Sequence, residues 1–478
     1  MRKTISSFSP RYPKTVIYML QSTEYQIEPY LKWYWRTPSF GVVMKRRDLQ
    51  KTKAAKMLLL ALVAGMGLQI LLGLFCIGLW ARGAHYSVGI SGVCLVWLSP
   101  LVWAHLIVVP LWLGRVFITR PKEKKLIAES RDIFAKHSAT TIAVAGSYGK
   151  TTMKELLGTV LAEGRKVAIT PANKNVASSH ALFAKKLAGG EDVLVIEYGE
   201  GAPGDVARFS QTTRPTIGVI TGIAPAHLDQ YPTLEAAARD IFSLADYLDN
   251  RQVYVNAESE AAQPYIADSH ITYDAHHVGS WKISGVKVGF DGVRFTMAKG
   301  SKKLSLHSGL LGRHQVGPLA AVSAIADGLG LSKKDIEEGV AKTVPFEHRM
   351  QPRPLGGAWI IDDTYNGNID GIKAGLALLK DLPAKRKVYV TPGLVDQGIE
   401  TVRVHHHMGQ LIAGANPDRV VLMENSARPA IEAGLKDAGF SNELHIEDNP
   451  LRFYTGMEHL VAAGDLWVLQ NDWTDNYA

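Results

Sequence analysis

The sequence predicts two α/β domains behind a two-helix membrane hairpin. Two long uncharged runs lie near the N-terminus, and β-branched runs alternate with helical patterns from Thr140 onward. A Pro- and Gly-rich break near residue 347 then separates a first alternating series from a second. Short apolar runs separated by helix-length segments imply mainly parallel sheets with helices on their faces.

At 478 residues the chain exceeds one typical domain. Its net charge of +8 is localised, because residues 1–56 hold twelve Lys and Arg against three acids. The remainder is close to neutral, so no basic surface spreads over a domain and no nucleic-acid partner is expected. Residues 57–80 and 88–114 carry no charge. Each run exceeds the about 20 residues that a helix needs to cross a hydrocarbon layer of roughly 30 Å. Lys45, Arg46, Arg47, Lys51, Lys53 and Lys56 precede the pair, and Arg115, Arg120, Lys122, Lys124 and Lys125 follow it. Positive flanks face the cytoplasm, which predicts a multi-pass plasma-membrane protein whose soluble part is cytoplasmic. A signal peptide would begin nearer residue 1. Pro100 and Pro110 mark the second span as kinked or partly re-entrant. The only cysteines, Cys76 and Cys94, lie inside the spans, so there is neither a disulfide framework nor a CxxC metal site. The aromatic, basic stretch 19–40 either lies against the membrane surface or packs as an amphipathic helix.

The first series reads as strands at 141–146, 166–170, 192–199, 216–223 and 252–258. Period-two alternation around Asp-Gly and Lys-Gly turns at 280–308 then predicts a small antiparallel insert, and a helix pair at 315–342 closes the unit. The second series places strands at 358–363, 387–392, 418–423, 443–448 and 465–470. It is Rossmann-like, but no GxGxxG follows its first strand, so a dinucleotide is not supported. The predicted organisation is a basic and aromatic segment (1–56), a hairpin (57–114), a central domain (120–346) and a C-terminal domain (347–478).

The most informative stretch is "IAVAGSYGKTTMKELLG" at 142–158: strand, glycine turn, helix. Backbone amides at such a helix N-terminus hold phosphate oxygens, Lys150 adds a charge at the terminal phosphates, and Thr151 offers a hydroxyl to Mg2+. Val144 stands where the full Walker pattern has its first glycine. Taken alone, the stretch is either a nucleotide loop formed by Gly146, Ser147, Tyr148, Gly149, Lys150, Thr151 and Thr152 or a glycine turn capped by Thr151.

Together, "AGSYGKTT", "TPANKN", "VIEYGEGAPGDV", "ITGIAPAHLDQY", "HRM" and "IIDDTYNGN" resemble the Mur ligase family, within it the D-alanyl-D-alanine-adding type, over about residues 140–478. The resemblance implies an ATP- and Mg2+-dependent ligase that activates a carboxylate as an acyl phosphate and couples it to the amine of an amino acid or dipeptide in cell-wall peptide (peptidoglycan) synthesis. It assigns Lys150 to the β- and γ-phosphates, Thr151 to the metal, Glu197 to the same ion directly or through water, and His227 to the metal or the acyl phosphate. It also assigns Arg349 to the γ-phosphate on domain closure, and Asp362, Asp363, Tyr365, Asn366 and Asn368 to the nucleotide from the C-terminal side. Phosphoryl transfer between anions calls for such positive charge and metal. The adjacent histidines 405–407 read as exposed.

Three departures stand out. The family's carbamylated lysine falls at Ile241, and no lysine lies between Lys186 and Lys282, leaving Asp240 or Glu235 as substitutes. An adenine-side Asn falls at Pro318. A hairpin stands where the family has a domain for the uridine-diphosphate end of its substrate, which implies an acceptor carboxylate that is lipid-linked or held at the bilayer, and cell-wall enzymes as partners. Two rival readings remain open, a poly-γ-glutamate synthase-like ligase and a non-catalytic nucleotide-binding membrane scaffold.

Overall fold

The computed structural model describes residues 2–471 except 24, 42–48, 173, 225–230, 232, 366, 396, 398 and 399. It divides into two units, Met1–Lys125 and Leu126–Ala478.

Helix Lys53–Ala81 and the helical run Tyr86–Lys136, whose first segment is Tyr86–Leu106, are long and apolar enough to cross a membrane. They turn Leu60, Leu68, Leu71, Phe75, Ile90 and Trp97 outward. Pro100 sits inside the second helix and supplies no N–H to the Val96 carbonyl, which instead accepts from Ser99 Oγ at 3.0 Å. The helix therefore continues past Pro100 and ends at Leu106. A separate turn, Val108–Gly114, restarts with Pro110 in its first turn, where a missing N–H costs least. The stretch 19–40 takes the packing alternative on its inner face. Tyr12, Val16, Ile17, Leu20, Tyr30 and Tyr34 share a core with Leu58, Leu62, Met66 and Ala104. Tyr12 and Tyr30 donate their hydroxyls to the carbonyls of Pro100 and Ala104, each at 2.9 Å.

The second unit holds two sheets. The first comprises β1 (Thr140–Ala145), β2 (Val167–Ile169), β3 (Val193–Glu197), β4 (Ile217–Ile220), β5 (Val253–Asn256), β6 (Ile271–Tyr273), β7 (His277–Val278), β8 (Trp281–Gly289), β9 (Gly292–Lys299) and β10 (Lys302–Ser308), in spatial order β10-β9-β8-β7-β6-β5-β4-β1-β3-β2. β1 to β6 pair in parallel and β6 to β10 antiparallel, so the insert extends the main sheet. Helices Lys150–Leu161, Val316–Gly328 and Lys333–Ala341 cover one face, and Asp205–Thr213 and Leu234–Tyr247 the other. Both faces being buried explains why β1, β3 and β4 read as unbroken apolar runs.

The second sheet comprises β11 (Gln351–Leu355), β12 (Ala358–Asp363), β13 (Arg386–Thr391), β14 (Arg419–Met423), β15 (Glu443–Glu447) and β16 (Asp465–Gln470), in order β11-β12-β16-β13-β14-β15. It is parallel except for β11, which runs antiparallel to β12. Sequence reading had no strand here, because Pro352 and Pro354 look like linker residues. An edge strand tolerates them, since its outer N–H positions need no partner. Phe290 stacks on Trp359 at 4.8 Å, and Arg313 pairs with Asp381 at 2.9 Å, so the two sheets are joined through side chains of both. One expectation is corrected here: His405 is buried. Its Nε2 accepts from Leu394 N–H at 2.9 Å, and its Nδ1 meets Thr401 O at 2.6 Å. Of the three, only His407 is exposed, and His406 pairs with Asp437.

Candidate active site

β1 is buried along most of its length and ends in the turn 146–149, where Gly146 and Gly149 take φ of 144° and 73°. A Cβ on Gly146 would collide with Thr221 Oγ1 and the Gly222 backbone, so the turn lies directly against the end of β4. Ser147 N–H donates to Gly222 O at 2.8 Å, and Thr221 Oγ1 donates to the carbonyl of Tyr148. Gly149 caps helix Lys150–Leu161, whose first-turn amides point at the crevice with no partner inside the helix. Thr152 lies half-buried in that turn.

Charge is concentrated beside it. Lys150 Nζ donates to Gly146 O at 2.5 Å and to Glu200 Oε2 at 2.6 Å. Thr151 Oγ1 and Asn175 Nδ2 both donate to Glu197 Oε1, at 3.1 and 3.2 Å. One turn further on, Lys154 is fully buried. Its ammonium reaches Thr170 O at 2.9 Å, Ala172 O at 2.5 Å, Glu155 Oε1 at 2.9 Å and Glu197 Oε2 at 3.6 Å. Glu197 Oε2 and Glu200 Oε1 are buried without a hydrogen-bond partner. Orphaned buried carboxylate oxygens are costly unless a cation meets them, and hard oxygen donors beside a threonine hydroxyl suit Mg2+. Thr151 and Glu197 therefore fit the metal, and the loop fits a triphosphate. Among the described residues no group of three or more His, Cys, Asp or Glu comes together. His227 lies outside the described residues.

The C-terminal sheet presents its own groups. Arg349 is flanked by His348 and Met350, at φ of 59° and 47°, a left-handed pair that costs an L-residue backbone energy. Its guanidinium lies 4.3 Å from the ring centre of Tyr365, which is half-exposed. Asp362 is buried against His348 Nδ1 and Arg353, both at 3.1 Å. Asp363 accepts from Met350 N–H at 3.1 Å and Gln470 Nε2 at 2.9 Å. Burial pushes its pKa up to about 6, against the pull of those bonds and of Arg349. Asn368 Oδ1 caps helix Ile369–Asp381 by accepting from Gly371 N–H at 2.8 Å, and Asn366 lies outside the described residues. Tyr148 links the two sides: burial, and then the neighbouring Asp370, push its phenol up to about 12.

The structure thus brings Gly146 to Thr152 together with Glu197, and Arg349 together with Asp363 and Tyr365. It withdraws the two substitutes for the missing lysine. Asp240 spends both oxygens on Gly204 N–H and Tyr231 OH, each at 2.7 Å, Glu235 is exposed, and Ile241 is buried in the core. Sequence reasoning missed Lys154, Asn175 and Glu200. Lys154 has a signal in its spacing, four residues after Lys150 on one helix face. Glu200 follows Glu197 by three residues in a turn that no periodicity orients. A separate cavity of about 500 Å³, lined by Thr140, Thr216, Trp281 and Lys299 among others, sits at the N-terminal ends of the same strands, away from this crevice.

Residues 144–326 match the family described as the Mur ligase middle domain. The UDP-N-acetylmuramoyl-tripeptide--D-alanyl-D-alanine ligase of Borreliella burgdorferi is 28% identical over 322 residues, covering 65% of this chain and 68% of that protein. The ligase of the same name from Escherichia coli is 26% identical over 337 residues, covering 64% and 72%. Among solved structures, MurF from Acinetobacter baumannii superposes with a TM-score of 0.63 at 20% identity over 73% of this chain and 77% of that one. MurF ligase from Thermotoga maritima in complex with ADP gives 0.62 at 21% identity over 73% and 80%.

Proposed function

We infer from the match to the Mur ligase middle domain and the MurF-like α/β fold that the chain belongs to the Mur ligase family. From that premise we propose that it is a membrane-anchored, ATP- and Mg2+-dependent ligase that joins a carboxylate to the amine of an amino acid or dipeptide, of the D-alanyl-D-alanine-adding kind, in peptidoglycan synthesis. The observation that carries the proposal is the juxtaposition of Lys150 and Thr151 with Glu200 and Glu197 at adjoining strand ends, where one buried oxygen of each carboxylate accepts no hydrogen bond.

Bound MgATP would supply the phosphoryl group that activates the acceptor carboxylate as an acyl phosphate. The chain's residues do the rest by position and charge. The turn 146–149 and the first amides of helix Lys150–Leu161 orient the phosphates, and Lys150 offsets their charge. Thr151 and Glu197 would hold the metal, with Asn175 and Lys154 fixing the Glu197 carboxylate. Arg349 leaves the Tyr365 ring to meet charge at the reacting end, and a second domain beside the crevice excludes water from an intermediate that hydrolyses readily. His227 and Asn366 belong to the same proposal by family position.

The two apolar helices support anchoring at the plasma membrane with the catalytic part in the cytoplasm. The acceptor we propose is lipid-linked, with confinement to a plane raising its effective concentration. The test is product mass after incubating the full-length protein in detergent with ATP, lipid-linked or nucleotide-linked peptide, and D-alanyl-D-alanine or single amino acids. Phosphate release that needs both carboxylate and amine, and is lost in Lys150→Ala, is expected. Nucleotide binding without any ligated product would favour a scaffold, and a growing glutamate polymer would favour the poly-γ-glutamate reading. A chain lacking residues 1–119 that turns over a soluble nucleotide-linked peptide as well as the full-length protein turns over lipid-linked material would sink the lipid-linked acceptor.

A further inference from the structure

We propose that Glu200 is an exchangeable partner. In the nucleotide-free crevice it holds Lys150, and when nucleotide takes the lysine the released carboxylate becomes a metal ligand beside Glu197. The inference rests on the nucleotide reading of the loop given above. Its grounds are geometric. Glu200 leaves 3% of its side chain exposed and Lys150 11%, and they meet at 2.6 Å, so a phosphate oxygen that reaches the ammonium competes with that carboxylate for it. The other Glu200 oxygen, Oε1, is buried and has no hydrogen-bond partner. Glu197 Oε2, carried three residues earlier on the same strand end, is in the same condition.

The charge balance supplies the mechanism. Without nucleotide, Lys150 faces Glu200, and Lys154 is shared between Glu197 and the partly exposed Glu155. A triphosphate brings about four further negative charges at neutral pH, and once it takes Lys150 it leaves Glu200 as a buried, unpaired anion beside it. Removing one partner of a buried ion pair is strongly unfavourable. A divalent cation between the two glutamates and the phosphates removes that penalty, so Glu200 opposes metal-free nucleotide and favours the metal complex. No bond is made or broken in this exchange, which is a swap of ionic partners.

The experiment is calorimetric titration of the full-length protein in detergent with a non-hydrolysable ATP analogue, in EDTA and in Mg2+, for wild type and Glu200→Gln. The near-isosteric amide keeps the fold, and unchanged thermal unfolding of the variant checks this. Wild type should bind at least tenfold more tightly with Mg2+ than without. Glu200→Gln should bind the metal-free analogue several-fold more tightly than wild type and lose most of the Mg2+ enhancement. A variant with the wild-type Mg2+ dependence, or with unchanged metal-free affinity, overturns the exchange while leaving the nucleotide reading intact. A wild type that binds the analogue in neither condition overturns the nucleotide reading itself, and the exchange with it.

Discussion

Lys154 makes a sharp prediction, because its burial is complete and its partners are all named. The ammonium satisfies two main-chain carbonyls, Thr170 O and Ala172 O, and lies 3.6 Å from Glu197 Oε2. Ala172 takes φ of 48°, a left-handed conformation that this bond helps to hold. In Lys154→Met the stem still fits, but both carbonyls lose their partner and Glu197 becomes a buried anion without its cation. Breaking a buried pair costs about 3–5 kcal/mol. Glu155, partly exposed, turns to water and adds little. The expected loss is therefore about 3–5 kcal/mol in the α/β unit, read by denaturant unfolding followed by tryptophan fluorescence, with faster proteolysis around residues 170–176. Glu155→Gln should cost under about 1 kcal/mol. The double change Lys154→Met with Glu197→Gln should cost less than the sum of the two, because it removes both buried charges. A loss below about 1 kcal/mol for Lys154→Met, with unchanged proteolysis, would refute the role assigned to this lysine.

Asp363 gives a pH dependence. Its folded pKa of about 6 lies above the ordinary 3.8, so the native state binds the proton more readily and stability falls as pH rises from about 4 through about 6. Asp363→Asn should remove that fall, so the difference between the unfolding midpoints of variant and wild type should change between pH 4 and 7, and parallel profiles would refute the assignment. Gly146→Ala should leave the sheet folded but weaken nucleotide binding at least tenfold in a titration, since its Cβ strikes Thr221 and its φ is left-handed. Tyr12→Phe with Tyr30→Phe removes three buried hydroxyl bonds, to Pro100 O, Ala104 O and Tyr34 OH, at about 1 kcal/mol each, and should lower the thermal midpoint of the detergent-solubilised N-terminal unit without altering nucleotide affinity.

What was legible in the sequence followed from burial on both faces or from a special backbone. β1, β3 and β4 announce themselves because a sheet covered by helices leaves no polar side to alternate with. The turn 146–149 is legible because only glycine fits Gly146 against Thr221. β11 was not legible, since its prolines signal a break unless the strand is known to lie at an edge. His405 was misread for a related reason: adjacent histidines on one helix point in different directions, and which of them faces inward depends on the helix 428–437 packed alongside. Glu200 and Asn175 lie in turns, where no period tells a side chain's direction. Their partners lie 50 and 22 residues away in the chain, beyond the reach of any local pattern.

The strand order itself places the crevice, independently of any motif. From β1 the chain crosses to β2 at the sheet's edge, returns to β3, and then passes β1 to lay down β4 on its other side. The helix after β1 therefore covers one face, and the helices after β3 and β4 cover the other. Where helices leave adjoining strands for opposite faces, the strand ends separate and a ligand can enter between them. That opening is where Gly146, Glu197 and Thr221 end their strands. Topology thus fixes where a ligand enters, while the residues at the rim fix which one. On the proposed reading, a glycine turn and Lys150 select phosphate, and two buried carboxylates, each with an oxygen that accepts no hydrogen bond, favour a cation accompanying it. A crevice built only for an anion would have no use for Glu200, so its burial beside Lys150 is the strongest reason to read the site as one for a metal–nucleotide pair rather than for phosphate alone.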